Sequence, residues 1–222
     1  MTKAPTLRGP LGNAVQRLGL VPGLRRARDR ATGLAGRWIA AGCPAPPPAS
    51  IKIAIVEGLV RASGCRRFVE TGTYLGNTIE VIARLGLTCH TIEIDPTIHA
   101  RARKVLGRHR NIDFILGDSA AALPVLLARI DEPTCFWLDG HYSGGVTGTA
   151  REETPISAEL DAILAHPVRS HTILIDDARL FDGTHDYPHL AELLAGLERH
   201  PTYRAEVSTD IIRVLPVNPP RG

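Results

Sequence analysis

Asp139, Asp176 and Asp177 each stand directly behind an apolar run, TCFWL before the first and HTILI before the other two. Short runs of this kind, rich in β-branched and aromatic residues, read as strands. Parallel neighbouring strands would deliver the three carboxylates to one sheet edge. Uncompensated like charges there are costly, and a divalent cation removes that cost. Oxygen-only ligands favour Mg²⁺, or another hard divalent cation such as Ca²⁺ or Mn²⁺, over zinc. The competing account is a set of solvated acids or helix caps with Arg179 as partner. His141 lies two residues past Asp139 in the glycine-flanked loop GHYSGG. Its imidazole suits a general base near neutral pH. Position, not type, sets it apart from the other histidines: His99, His109, His189 and His200 fall on helix faces or ends.

Earlier in the chain, VETGTYLGNT places Gly72 and Gly76 around a tight strand-to-helix turn, with Glu70 two positions ahead of the first glycine. Glycine permits positive φ and close backbone approach to a ligand. The spacing is neither the dinucleotide fingerprint nor a P-loop. A carboxylate here would repel a pyrophosphate but meet a cationic amino group. Glu93, in IEIDP, follows Glu70 by 23 residues, a placement that suits two ribose hydroxyls. Its alternative role, a helix-capping acid, fits Asp95 before Pro96 better. Asp118, in GDS, can cap the next helix or accept a hydrogen bond from an adenine amino group, and the two roles are compatible.

Regular alternation supplies the elements that position these residues. Helices are expected over 50–63 (Ser50 as N-cap, with Ile51, Ile55, Leu59 and Val60 on one side), 77–85, 96–106, 119–130, 155–165 (Thr154 as cap) and 188–199. Strands are expected over 67–70, 88–94, 112–116, 134–138 and 171–175, with a final hairpin of 203–208 and 211–215 around Thr209-Asp210. The nearly continuous apolar strands imply a parallel sheet covered on both faces. The fold class is therefore α/β, a doubly wound, mostly parallel, Rossmann-like sheet, with ligands bound beyond the carboxyl ends of its strands.

The order ExGTxxGNT, IEIDP, GDS, LDGH, IDDxR resembles class I S-adenosylmethionine-dependent methyltransferases. It is most similar to the metal-dependent O-methyltransferases of the macrocin and novobiocin type, and more distantly to catechol O-methyltransferase, over about residues 50–215. The resemblance implies that Glu70, Thr71, Gly72, Thr73, Gly76 and Asn77 line the methionine and ribose end of the cofactor. Glu93 would hold the ribose hydroxyls, Asp118 and Ser119 would contact adenine, and Asp139, Asp176 and Asp177 would hold Mg²⁺. His141 takes the position of the macrocin-type base, where relatives are usually acidic. Thr73-Tyr74-Leu75 replaces a glycine-richer turn. The implied activity is methyl transfer to a hydroxyl of a small molecule or sugar-containing metabolite, with Asp139 and His141 catalytic. Loops 140–153 and 178–187 would be lids, and Arg151, Arg179, His185 and Tyr187 could face the acceptor. Two alternatives stand beside it: a cofactor-binding module that engages a partner, and a nicotinamide-dependent oxidoreductase, against which the glycine turn argues.

Composition bounds the rest. The chain of 222 residues is 44% hydrophobic and 22% charged, a globular balance that excludes wholesale disorder. No apolar run is long enough to span a membrane, and no secretory signal pattern is present. Eight of the Lys/Arg residues lie in 1–40 against Asp29 alone, so the arm is basic and the remainder acidic. Residues 1–49 read as a Pro/Gly/Arg-rich extension and 50–222 as the methyltransferase domain. The arm lacks interleaved aromatics and any nucleic-acid motif, so nucleic acid is not the expected partner. The four cysteines form no zinc pattern and suit a reduced, cytoplasmic setting. Assembly into a homo-oligomer is left open.

Overall fold

A computed structural model describes residues 33–139 and 154–219. Helices are α1 (Leu34–Ala40), α2 (Ala49–Ser63), α3 (Asn77–Ala83), α4 (Pro96–Leu106), α5 (Ser119–Leu127), α6 (Ile156–Ala165) and α7 (Leu190–Glu198). Strands are β1 (Arg67–Thr71), β2 (Thr88–Glu93), β3 (Ile112–Leu116), β4 (Thr134–Leu138), β5 (Thr172–Ile175), β6 (Tyr203–Ser208) and β7 (Ile211–Pro216), and a 3₁₀ turn covers Ala178–Leu180. They form one sheet in the order β3-β2-β1-β4-β5-β7-β6. The first five are parallel. β7 inserts antiparallel between β5 and β6, through a two-residue turn in which Thr209 and Asp210 both have positive φ. That is the turn geometry that matches strand twist in a hairpin. This is the Rossmann-like sheet expected from the alternation. Its strand order reverses between β1 and β4, the topological switch point where such folds bind ligands.

Successive strand residues feed opposite faces. Val69, Phe136 and Ile173 join the core under α5, α6 and α7. Phe68, Trp137 and Leu174 join the core under α2 and α3. Both faces are buried, which is why the strand sequences run apolar without alternating. Cys65, Cys89 and Cys135 are buried and Cys43 exposed, all as free thiols. Among the described residues, no helix is long and apolar enough to cross a membrane.

Four differences from the sequence expectation have local causes. Helix α1 was not anticipated; it buries none of its residues, and its Trp38 indole donates to the Pro44 carbonyl. Helix α2 starts one residue early with Pro48, not Ser50, at its N-cap. Its buried row is Val56 and Val60, while Ile55 and Leu59 pack only at its margin. The tail expected of α3 tightens into i→i−3 bonds, Leu85 to Ile82 and Gly86 to Ala83, ending on a left-handed Gly86. The end of α5 tightens likewise, Arg129 to Leu126 and Ile130 to Leu127. Such bonds satisfy orphan carbonyls at a helix end.

Candidate active site

The turn after β1 is built around its two glycines. The Gly72 amide donates to the Ile92 carbonyl at 3.0 Å, continuing the β1–β2 ladder, and the Gly76 amide donates to Thr73 at 2.8 Å. Gly76 caps α3 in the left-handed conformation, φ 70°, and a Cβ there would lie 2.4 Å from Leu106 Cδ1. Asn77 opens α3 behind it. Thr73 and Thr91 share a 2.6 Å hydroxyl contact, and Thr91 donates to Glu70 Oε2 at 2.8 Å. Burial pushes the Glu70 carboxyl well above the ordinary range, and the negative charges of Asp139 and Glu93 add to it. Thr71, the last residue of β1, accepts the Asp139 amide on its carbonyl at 3.1 Å.

Glu93 holds the turn to the end of β2. Its Oε2 accepts the Tyr74 amide at 2.9 Å and its Oε1 the Asp95 amide at 3.0 Å. Each oxygen keeps a second lone pair for a ligand. Capping of α4 falls to Asp95, which accepts the Thr97 and Ile98 amides at 2.7 and 2.9 Å. Asp118 caps α5 through the Ala120 amide at 3.0 Å, with buried Ser119 opening the helix.

On the other side of the switch point, Asp139 and Asp176 extend neighbouring strands: β4 and β5 pair as far as Leu138 with Ile175, and the Asp176 amide donates to Leu138 at 3.0 Å. Burial, reinforced by Asp139 and Asp177, pushes Asp176 up to about 8, against the pull of Lys52. The acids do converge, but a side chain that the sequence did not single out lies among them. Lys52 Nζ stands 2.7 and 2.8 Å from the two Asp176 oxygens and 2.9 Å from Asp177 Oδ1. Arg179 donates to the same Asp177 oxygen at 2.8 Å and pairs with Asp210 from the β6–β7 turn. Burial works against the Asp177 charge, but bonds from Arg179 and Lys52 hold its pKa below the ordinary value. Asp177 has φ 56°, a left-handed conformation that aspartate tolerates better than most residues.

A divalent ion does not fit this arrangement of the described residues. No group of three or more His, Cys, Asp or Glu side chains is disposed to hold one, and the Asp176 and Asp177 oxygens are turned to the Lys52 ammonium. His141 and Arg151 lie outside the described residues.

Three further groups border the site. Tyr187 lies beside Thr154 within the field of Asp177, Asp139 and Asp176, and stacks edge-on against Phe181. Helix α6 begins at Ile156 with Pro155, not the expected Thr154, at its N-cap; the Thr154 hydroxyl accepts the Ile156 amide at a long 3.4 Å. Glu159 of α6 is 1% exposed. Its carboxyl lies near the hydroxyls of Ser119 and Thr71, yet both its oxygens and Thr71 Oγ1 lack a hydrogen bond. Burial raises Glu159 to about 7. Its helical position, with Leu160 and Ile163 also buried, was the one sequence signal that pointed to it.

No family model and no curated protein matches the chain. Solved structures do. An O-methyltransferase from Bacillus cereus in complex with SAH is similar at 18% identity and TM-score 0.57, over 83% of this chain and 89% of that one. The O-methyltransferase TomG from Streptomyces achromogenes, involved in tomaymycin synthesis and solved with SAM, is similar at 18% identity and TM-score 0.58, over 82% and 86%. Cofactor-bound Rv0187 from MTB is similar at 20% identity and TM-score 0.58, over 97% and 99%. The carboxylate-lined switch point therefore sits on the Rossmann-like fold that these proteins share.

Proposed function

We propose that the chain transfers a methyl group from S-adenosylmethionine to a hydroxyl of a small molecule. The observation that carries this is the acidic row at the switch point. Glu93, Glu70, Asp139 and Asp176 come from the ends of four adjacent strands, and Glu70 and Asp176 are held above the ordinary carboxylate range by burial and by one another's neighbours. Such a row favours a ligand that brings positive charge. A sulfonium and an amino group on one molecule do so, and the methyltransferases of the same fold were solved with SAM or SAH.

When bound, the donor supplies an electrophilic methyl group. Glu70 and the turn from Thr71 through Thr73, Gly76 and Asn77 would hold its amino-acid end, the free lone pairs of Glu93 would accept the ribose hydroxyls, and Asp118 and Ser119 would meet adenine. The acceptor hydroxyl would enter beside Asp139, with His141 taking its proton on an imidazole nitrogen. Holding oxygen, methyl and sulfur in line can contribute about 7–11 kcal/mol. The expected Mg²⁺ is not carried into this mechanism, because Lys52 claims the oxygens it would need. A regulatory module or a nicotinamide-dependent enzyme has no comparable support.

Calorimetric titration with S-adenosylmethionine, followed by transfer of labelled methyl to a panel of hydroxyl acceptors, tests the function. Glu93→Ala should weaken donor binding, and His141→Ala should lower turnover with donor binding unchanged. A chain that binds no donor contradicts the assignment.

A further inference from the structure

Lys52 is not an ordinary surface lysine. It sits one turn before Val56 and two before Val60 on α2, so the row 52-56-60 faces the sheet. Val56 and Val60 are sealed in the core, which aims the Lys52 stem along the sheet surface toward the carboxyl edge. Its side chain is 16% exposed, and long charged side chains are buried to this degree when they are paired. The ammonium lies within 2.9 Å of both oxygens of Asp176 and one of Asp177, donating hydrogen bonds to Asp176 Oδ2 and Asp177 Oδ1. Burial opposes its charge, but Asp176 and Asp177 hold it more firmly protonated than a free lysine.

A hard divalent ion needs carboxylate oxygens at about 2.0–2.6 Å. It could not take them from Asp176 and Asp177 while an ammonium lies on those same atoms. Displacing Lys52 would strand a partly buried cation, and Arg179, tied to Asp177 and Asp210, adds a second positive charge alongside.

We propose that Lys52 is the resident cation of the site: its ammonium stands where a divalent ion is expected, positions Asp176 and Asp177 at the strand edge, and makes the protein metal-independent. The inference rests on the methyltransferase function only for what the site acts on; the choice of cation can be read without any turnover.

The test is an Mn²⁺ titration of the purified full chain followed by electron paramagnetic resonance, with thermal unfolding in chelator. The wild type should retain no Mn²⁺ at micromolar concentrations and should melt at the same temperature with and without chelator. Lys52→Met, which keeps the stem and removes the charge, should bind Mn²⁺ at least about tenfold more tightly than the wild type, and Mn²⁺ should raise its melting temperature. Lys52→Arg should restore the metal-free behaviour. One Mn²⁺ per wild-type chain, or Lys52→Met binding no more Mn²⁺ than the wild type, overturns the proposal. If Lys52→Met does not fold, the wild type and Lys52→Arg decide it, since stoichiometric Mn²⁺ on either is contrary. A protein that transfers no methyl yet shows this Mn²⁺ pattern loses the assigned function and keeps the Lys52 assignment.

Discussion

Replacing Glu159 by glutamine should stabilise the protein, by an amount that grows with pH. The carboxyl is buried against Ser119 and Thr71, with Asp118 adding repulsion, and its pKa rises from 4.5 to about 7. The folded chain therefore keeps a proton that the unfolded chain releases above about pH 4.5. Stability contributed at acid pH is lost as pH rises from 4.5 through 7. The shift is worth about 3 kcal/mol once both states are ionised. Glutamine has the same shape and no charge. Any bond its amide makes to Ser119 or Thr71 adds an offset that does not vary with pH. Urea unfolding of both proteins from pH 4 to pH 8 should thus show a stability gap that widens by about 3 kcal/mol across the range. For a domain of this size that widening is roughly 6–12 °C in melting temperature. A gap that stays constant across the range would refute the burial argument, because it would mean that Glu159 ionises in the folded chain as readily as in the unfolded one.

An opposite effect is expected at acid pH from His171. It is sealed from solvent at the start of the β5 region, and its Nδ1 accepts the Thr134 amide at 3.1 Å, so its proton lies on Nε2, facing His166 Nδ1 at 2.9 Å. Burial, then the neighbouring His166, lowers it to about 4. Stability present above pH 6.5 should be lost as pH falls toward 4, by about 3 kcal/mol. NMR titration of the His171 ring should show no protonation at pH 5.5, and a ring that titrates near 6.5 contradicts this. Gly76→Ala should destabilise by about 1–3 kcal/mol, since it adds a contact with the buried Leu106 to a left-handed backbone; an unchanged denaturation midpoint would show that the turn relaxes freely.

What was legible in the chain was what local pattern dictates. The runs TCFWL and IDFIL are strands over their expected spans, and PTIHARARKVL is a helix with Asp95 as its cap and Pro96 in its first turn. Thr209-Asp210 makes the expected hairpin. The convergence of Asp139 with Asp176 followed from strand order. Hidden was everything set by contact between distant segments. Lys52 lies 124 residues before Asp176, and of the row 52-56-60 the apolar side expected of α2, Ile51, Ile55, Leu59 and Val60, included only Val60. Asp210 looked like turn chemistry alone, yet it meets Arg179 because β7 inserts beside β5. Arg179 was weighed as a partner of the acids but Lys52 was not, and without Lys52 three converging acids called for a metal.

The central claim, a methyl-donor site at the β1–β4 switch point, is tested most directly by a crystal structure of the full chain with S-adenosylhomocysteine. The ribose hydroxyls should lie on Glu93, the adenine beside Asp118 and Ser119, and the sulfur over the Gly72 turn, facing Asp139. A ligand that fails to bind, or that lodges away from the carboxyl ends of β1 and β2, contradicts it.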